Sequence, residues 1–264
     1  MRALGIAQLS ALDLPLSSFV DLAARAGFDA VSLFVHAMGS IPADRVVRPA
    51  EARALADRLA DRGLAVEGVE CFPLAPGVAV EDYRSSLEVG AVLGARRASA
   101  LLYDDDPARV EEGLGRLAEL AAEYGLAVAV EFMPLARAAR TFAEARALVA
   151  RVGAPNLGIV VDLLHLVRAG EGPEALRAGA AAILGAQLCD GLDLTPGCDY
   201  ADEAANHRLP PGAGRFPVVS FLRALPAGLA VELEVPEPPA ADPAARLAAL
   251  AEAGRRALVA AEGG

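Results

Sequence analysis

The sequence of 264 residues contains no lysine and no tryptophan, and aromatic residues make up only 5% of it. All 24 basic residues are therefore arginines. A chain without lysine cannot form a lysine Schiff base with a carbonyl substrate, and it cannot use lysine as a catalytic base. Both mechanisms are excluded for this protein.

Cysteine is also scarce, with three residues, Cys71, Cys189 and Cys198, and no CxxC pair. An odd number of unpaired cysteines is typical of a reducing compartment and argues against a disulfide framework or a cysteine zinc site.

Residues 1–30 lack the features of a signal peptide, and Asp, Arg or Gly interrupts every apolar run before it reaches membrane-spanning length. We therefore expect a cytoplasmic protein that has no membrane partner.

Positive charge is not concentrated anywhere, and the net charge is −11. Because binding to phosphates needs a concentrated positive face, nucleic acid is not an expected partner. A small-molecule substrate is the expected partner, and the alanine-rich helices are also compatible with a homo-oligomer.

Along the whole chain, short apolar segments alternate with helical stretches about every 30 residues, as in a parallel α/β protein. Gly27, Gly63 and Gly125 each precede an apolar residue, which is the pattern of a glycine that ends a helix before a strand. The chain has no linker, so we predict a single-domain (β/α)₈ barrel over residues 1–264. A doubly wound open sheet is the alternative, but no GxGxxG motif follows the first strand. The predicted strands are Leu4–Leu9, Ala30–Val35, Ala65–Cys71, Ala98–Tyr103, Ala127–Phe132, Gly158–Asp162, Ile183–Leu188 and Leu229–Val235, and the clearest helices are Glu51–Arg62, Ala108–Tyr124, Phe142–Val152 and Pro243–Ala261.

Oxygen-bearing side chains lie near the ends of the last four predicted strands: Glu131, Asp162, Gln187 and Glu232. Their positions along the strands are consistent with side chains that point into a narrow barrel. The carboxyl ends of barrel strands form the active site, so these four groups are expected to hold one divalent cation there. The alternatives are that each is a satisfied buried polar group, or that arginines neutralise them.

The three histidines, His36, His165 and His207, all follow predicted strands. A lone histidine is more often structural or solvated, which suits His36 and His207, whereas His165 lies three residues after Asp162. Arg208 is the best candidate to anchor an anionic or polyhydroxyl substrate. It lies in the long irregular stretch Asp190–Pro217, whose length is typical of a functional loop.

These residues resemble the sugar phosphate isomerase/epimerase family, also called xylose-isomerase-like barrels. The resemblance covers nearly the whole chain, from Gly5-Ile6 and Ala26–Val31 through Glu131, Asp162–His165 and Gln187–Asp190 to Arg208–Gly214 and Val231-Glu232. It implies that Glu131, Asp162, Gln187 and Glu232 bind the metal. It also implies that His165 and Arg208 contact the substrate. Glu70 and His207 are two further predicted substrate contacts.

The sequence departs from the family pattern at Gln187, where most members have a histidine ligand, and at Ala213, where a glutamate is usual. An amide oxygen in place of imidazole favours Mg²⁺ or Mn²⁺ over Co²⁺ or Zn²⁺. The same glutamine is similar to that of bacterial 3-dehydroshikimate dehydratases, but the third strand here lacks the arginine that would hold their substrate carboxylate. Three histidines are too few for an endonuclease IV-type zinc site, and a true xylose isomerase would need a lysine.

The expected reaction is removal of a proton next to a carbonyl through an enediolate, with Glu131 or Glu232 as the base and His165 as an acid. An isomerase or epimerase acting on a ketose-like substrate is the first prediction. A dehydratase (a lyase) and a barrel that only binds a ligand remain as alternatives.

Overall fold

The computed structural model describes residues 2–39, 41–193 and 199–263, and its eight parallel strands form a closed barrel in chain order. The predicted (β/α)₈ barrel is confirmed. The strands are β1 (Leu4–Ala7), β2 (Ala30–Phe34), β3 (Ala65–Leu74), β4 (Arg97–Leu102), β5 (Ala127–Glu131), β6 (Leu157–Asp162), β7 (Ile183–Leu188) and β8 (Val231–Leu233).

Helices alternate with the strands and cover the outside of the barrel. The α-helices are α1 (Leu16–Ala26), α2 (Pro49–Asp61), α3 (Arg84–Val92), α4 (Pro107–Ala122), α5 (Phe142–Val152), α6 (Leu163–Arg168), α7 (Tyr200–Asn206), α8 (Val218–Ala224) and α9 (Pro243–Glu262). Short 3₁₀ segments occupy Gln8–Ala11, Ala43–Arg45, Val80–Tyr83 and Pro173–Ala182. Within the described residues, no helix is long and apolar enough to cross a membrane.

The ends of the helices follow from local sequence. Gly27 ends α1 at φ 85°, a left-handed conformation that glycine adopts without a Cβ clash, and its N–H donates to the carbonyls of Ala23 and Ala24. At the other end of such helices, the side chains of Asp106 and Asp242 accept backbone hydrogen bonds from the first turns of α4 and α9. These local signals explain why the boundaries predicted from the sequence lie within a few residues of those in the structure.

An ion pair between Arg97, at the start of β4, and Glu232, in the middle of β8, fills part of the barrel interior. Glycines stand beside it. A Cβ on Gly5 would lie 2.9 Å from Cγ of Glu232, and one on Gly185 would lie 2.7 Å from Cζ of Arg97. Larger residues at these positions would collide with the pair, so the glycines are what leaves room for it.

Candidate metal centre and active site

Three ligand-bearing side chains meet at the mouth of the barrel. Glu131 is the last residue of β5, Asp162 is the last residue of β6, and His165 lies in the first turn of α6. One ligand atom of each lies within 4.8 Å of the others, and all three residues are buried. The structure therefore brings together two of the four predicted metal ligands and the predicted substrate histidine.

Asp162 is held from both sides. Its Oδ1 accepts hydrogen bonds from the backbone N–H groups of Leu164 at 2.6 Å and His165 at 3.3 Å, which caps α6, and its Oδ2 accepts one from Arg208. Burial acts to raise the pKa of Asp162, but Arg208 and His165 hold it below its ordinary value. Asp162 is thus a fixed carboxylate.

Gln187 and Glu234 lie beside this group. Nε2 of Gln187 donates to Oε1 of Glu234 over 2.9 Å, which fixes the orientation of the amide. Oε1 of Gln187 is then buried without a hydrogen-bond partner. Leaving a buried oxygen unpaired is costly, so this atom is well suited to coordinate a cation.

Glu234 was not assigned to the site from the sequence. Its Oε2 lies 3.0 Å from Nη1 of Arg208. Burial raises the pKa of Glu234 well above its usual value, and the nearby carboxylates of Glu131 and Asp162 raise it further against the opposing effect of Arg208.

Glu232, the fourth predicted ligand, does not join this group. It accepts hydrogen bonds from Ser32 Oγ and from Nη2 of Arg97 in the barrel interior, and it does not line the cavity at the mouth. The structure places Glu234 at the mouth instead, one residue beyond the end of β8.

The tilt of the strands explains this exchange. The register aligns Asp162 with Gln187 and Gln187 with Glu232. In a closed barrel the strands are staggered by about one residue per strand, so side chains at one height lie two residues apart after two strands. Glu234 is therefore level with Asp162. The same shift brings Ser32 to Glu232, although the register aligns Glu232 with Gly5 and Gly5 with Ala30.

Glu70, a predicted substrate contact, lies on β3 with its Oε1 buried and without a hydrogen-bond partner. That oxygen is 3.9 Å from Nη2 of Arg97. Burial raises the pKa of Glu70 to about 7, with Arg97 acting against the increase and Glu131 adding to it. Glu70 lies between the Arg97–Glu232 pair and the mouth.

His165 is positioned by a residue that sequence reasoning missed. Its Nδ1 lies 2.6 Å from the hydroxyl of Tyr200, the first residue of α7, and its Nε2 lies 3.4 Å from Oε1 of Glu131. The buried ion pair between Arg168 and Glu203 ties α7 to α6. No strand-end pattern marks Tyr200, because it lies within the stretch Asp190–Pro217, which the sequence predicts to be irregular and which contains α7. Residues 194–198 of that stretch, including Cys198, lie outside the described residues.

The other two histidines lie elsewhere. His207 follows α7 with a side chain that is 55% exposed, 3.2 Å from Asp202, and it does not line the cavity. His36 packs edge-on against Tyr83. Of the histidines, the structure brings His165 alone to the mouth.

Arg208 differs from expectation in its partners. It is buried, donates to Asp162 and Glu234, and also donates from Nε to the carbonyl of Ala204 at 3.0 Å. It lies at the cavity, as expected of a substrate contact, but its guanidinium is already occupied by carboxylates.

Glu70, Glu131, Asp162 and Glu234 form a set that we call the mouth carboxylates. Glu70, Glu131 and Glu234 line a cavity of about 190 Å³, Asp162 is buried beside them, and Arg208 is the only arginine among the described residues that line the cavity. Three larger depressions, of about 560, 680 and 410 Å³, lie elsewhere and contain none of the mouth carboxylates. A buried carboxylate needs a compensating charge, so one guanidinium leaves the mouth with excess negative charge.

Comparison with known proteins agrees with this architecture. The model of the xylose isomerase-like TIM barrel family matches residues 20–256. No curated protein matches the sequence.

Among solved structures, the chain is similar to a xylose isomerase-like TIM barrel/4-hydroxyphenylpyruvate dioxygenase fusion protein (TM-score 0.81, 22% identity), covering 98% of this chain but only 42% of the fusion protein. It is also similar to an IOLI protein that binds a zinc atom (TM-score 0.79, 18% identity, 98% of each chain). A third is D-psicose 3-epimerase with D-tagatose from Clostridium cellulolyticum H10 (TM-score 0.73, 16% identity, 98% of each chain). At these identities the likeness to the solved structures concerns the fold.

Proposed function

The chain belongs to the xylose isomerase-like TIM barrel family, and we propose that it is a divalent-metal-dependent isomerase or epimerase that removes a proton next to a substrate carbonyl. One observation carries the proposal. Three buried carboxyl groups, Glu70, Glu131 and Glu234, line one cavity that holds a single arginine among its described lining residues. Buried beside them are the carboxylate of Asp162, close to Glu131, and the unpartnered amide oxygen of Gln187, whose Nε2 donates to Glu234.

The donor set fits a divalent cation. Glu131, Asp162 and His165 each bring a ligand atom to the mouth, and Glu234 and Oε1 of Gln187 lie beside them. Four of these five groups offer oxygen, and oxygen ligands favour Mg²⁺ or Mn²⁺ over zinc. When bound, a divalent ion polarises a carbonyl oxygen and acidifies the neighbouring C–H bond. The zinc atom of the IOLI protein supports a metal in this fold.

The chain itself supplies the proton acceptor. Glu131 faces the cavity and is proposed to take the proton from the carbon next to the carbonyl, while the electrons of the C–H bond move toward the carbonyl. His165, held through Nδ1 by Tyr200, has its Nε2 beside Glu131 and is placed to donate a hydrogen bond to a substrate oxygen. Return of the proton to the other face of the same carbon gives an epimer, and return to the neighbouring carbon gives an isomer.

Glu232 has no part in this proposal. Its carboxylate is held by Arg97 and Ser32, so Glu234 takes the second acid–base and ligand role that the sequence assigned to Glu232. D-psicose 3-epimerase is among the solved structures of similar fold, which supports an epimerase reaction on this barrel.

A dehydratase of the 3-dehydroshikimate type is the second candidate, suggested by Gln187. Such a reaction needs a cation to hold the substrate carboxylate. Among the described lining residues Arg208 is the one arginine, and it already binds Asp162 and Glu234. This places the isomerase or epimerase first.

Deuterium exchange tests the proposed function. The protein is incubated in D₂O with Mg²⁺ or Mn²⁺ and a panel of ketoses and simpler hydroxy ketones, and mass spectrometry measures deuterium on the carbon next to the carbonyl. We expect exchange with wild type and a loss of at least about 100-fold in Glu131→Gln, since a general base contributes on that order. The matched control is Glu81→Gln, which removes a surface carboxylate that pairs with Arg116.

Exchange by Glu131→Gln at the wild-type rate would refute the base assignment. Absence of exchange with every carbonyl compound, together with absence of metal binding by calorimetry, would favour a barrel that only binds a ligand.

A further inference from the structure

We propose that the substrate is a small, uncharged hydroxy ketone whose remote end, the part of the molecule beyond the hydroxy ketone group, is apolar. This inference rests on the proposed function and names the substrate class of the same site. It is argued from the apolar residues that line the cavity, whereas the proposed function is argued from the mouth carboxylates.

The polar groups of the cavity are confined to one end. The walls beside the mouth carboxylates are apolar and come from the end of β2 with the loop after it, and from the ends of β4 and β5. The wall residues are Phe34, Met38, Ile41, Leu101, Met133 and Leu135. A ligand that fills the cavity therefore has one end among carboxylates and the other among hydrocarbon and thioether groups.

These walls are not part of the main core. Leu101, Met133 and Ala136 form a separate buried hydrophobic cluster, with Met38 and Cys71 packed against it. The chain has three methionines, and the two beyond the first residue both line this cavity. Methionine is flexible and polarisable and adapts to apolar ligands, so its concentration here favours an apolar occupant.

The helix α7 adds no polar group of its own to the remaining side. Its contributions to the lining are the methyl groups of Ala201, Ala204 and Ala205. The hydroxyl of Tyr200 is turned to His165 rather than to the cavity wall. Hydroxyls on a substrate carbon near α7 would thus find no side-chain partner there among the described lining residues.

Two substrate classes are disfavoured on these grounds. A phosphate or carboxylate would meet the mouth carboxylates, and Arg208 is already bound to Asp162 and Glu234. A fully hydroxylated sugar would bury its remote hydroxyls against Met38, Met133 and Leu101, and each unpartnered hydroxyl costs about 1–3 kcal/mol. An apolar remote end avoids both penalties.

Size is compatible with this class. The cavity of about 190 Å³ is somewhat larger than the cavity of about 150 Å³ that binds benzene in a protein core. One ring or a short alkyl chain, joined to a hydroxy ketone, is therefore a suitable occupant.

The test compares three probes that share the hydroxy ketone and differ at the remote end: 2-hydroxyacetophenone, D-fructose and D-fructose 6-phosphate. Calorimetry on the metal-loaded protein measures affinity, and deuterium exchange measures proton removal. We expect the aryl compound to bind at least about tenfold more tightly than fructose, since one or two apolar groups in a pocket are worth that much. The phosphate should bind most weakly.

Variants link the preference to the walls. Met133→Gln keeps the length of the side chain but makes it polar, and we expect it to weaken binding of 2-hydroxyacetophenone about tenfold while metal affinity stays at the wild-type value. Met38→Gln, at a partly exposed position, gives a second variant if the first folds poorly. The matched control is Val259→Gln, which changes an exposed residue of α9.

Equal or tighter binding of fructose or its phosphate would overturn the substrate class while leaving the metal and Glu131 results intact. Failure of all three probes to bind a protein that does bind metal would also overturn it. An unchanged aryl affinity in both methionine variants would show that the walls do not make the selection.

Discussion

Two buried ionic groups occupy the same barrel, and they are built differently. In the interior, Arg97 and Glu232 form a pair that Ser32 completes. At the mouth, Arg208 pairs with two of the four mouth carboxylates, Asp162 and Glu234. Glu131 faces His165, and Glu70 lies 3.9 Å from Nη2 of Arg97. The first group balances its charge within the chain, whereas the second leaves negative charge that a cation from outside can neutralise.

The contrast separates stability from function. A buried ion pair fills space in the barrel interior. Removal of one partner is strongly destabilising, because it leaves the other charge buried without a counter-charge. Burial alone would lower the pKa of Arg97, but Glu232 and Glu70 raise it above its usual value, so the guanidinium stays charged. A group with excess carboxylates is instead costly for the chain alone and is stabilised by a ligand.

The largest expected effect comes from breaking the interior pair. Arg97→Met strands the carboxylate of Glu232 in the barrel, and we expect the free energy of unfolding to fall by about 3–5 kcal/mol. Urea denaturation of the metal-free protein measures this loss. The double variant Arg97→Met with Glu232→Gln should recover part of it, and a loss under about 1 kcal/mol in the single variant would show that the pair is not structural.

The next effect is stabilisation of the mouth by metal. Mn²⁺ at about 100 times its dissociation constant should stabilise the folded state by about 2.7 kcal/mol. For a chain of this size that raises the melting temperature by about 5–10 °C. Asp162→Asn should abolish the increase, and the Arg97→Met/Glu232→Gln protein should keep it. An increase that disappears only in the interior variant would reverse the two roles.

Much of the barrel could be predicted from the sequence because its signals are local. Most strand residues are apolar, glycines end α1 and α5, and Glu131 and Asp162 each close an otherwise apolar strand. The choice between Glu232 and Glu234 could not be made this way. Both point into the barrel by alternation, and only the stagger across β6, β7 and β8 separates their heights.

The ion-pair partners of the buried arginines could not be predicted from the sequence either. Arg97 and Glu232 are 135 residues apart, and Arg208 and Asp162 are 46 apart. Alternation and strand ends say nothing about which of 24 arginines reaches which carboxylate. Inward-facing glycines were the one available signal, since Gly5, Gly68 and Gly185 all stand where a Cβ would collide with this interior group. That signal shows that something large is present but does not identify it.

A smaller effect is expected from filling the space beside the interior pair. Gly185→Ala would place a Cβ 2.7 Å from Cζ of Arg97 and from Cγ2 of Val160. We expect a loss of about 1–3 kcal/mol in the free energy of unfolding, as for other overpacked cores. The control is Gly115→Ala in α4, where the nearest atom would be 3.9 Å away and the change should stabilise by up to about 1 kcal/mol. Equal behaviour of the two variants would mean that the pair can move aside.

The smallest effect on stability should come from the mouth, and its sign should be opposite to that of the interior. Glu234→Gln removes one carboxylate from a group with excess negative charge and keeps the shape of the side chain, while Arg208 retains Asp162 as its partner. We expect the metal-free free energy of unfolding to stay within about 1 kcal/mol of wild type or to rise slightly, because burial already disfavours the charged form of Glu234, as its raised pKa shows, and glutamine is a neutral group of the same shape. Metal affinity, measured by calorimetry, should fall at least about tenfold. A loss of stability as large as that of Arg97→Met would mean that Glu234 is part of a structural ion pair like Glu232, and that the mouth is no better suited to a cation than the interior.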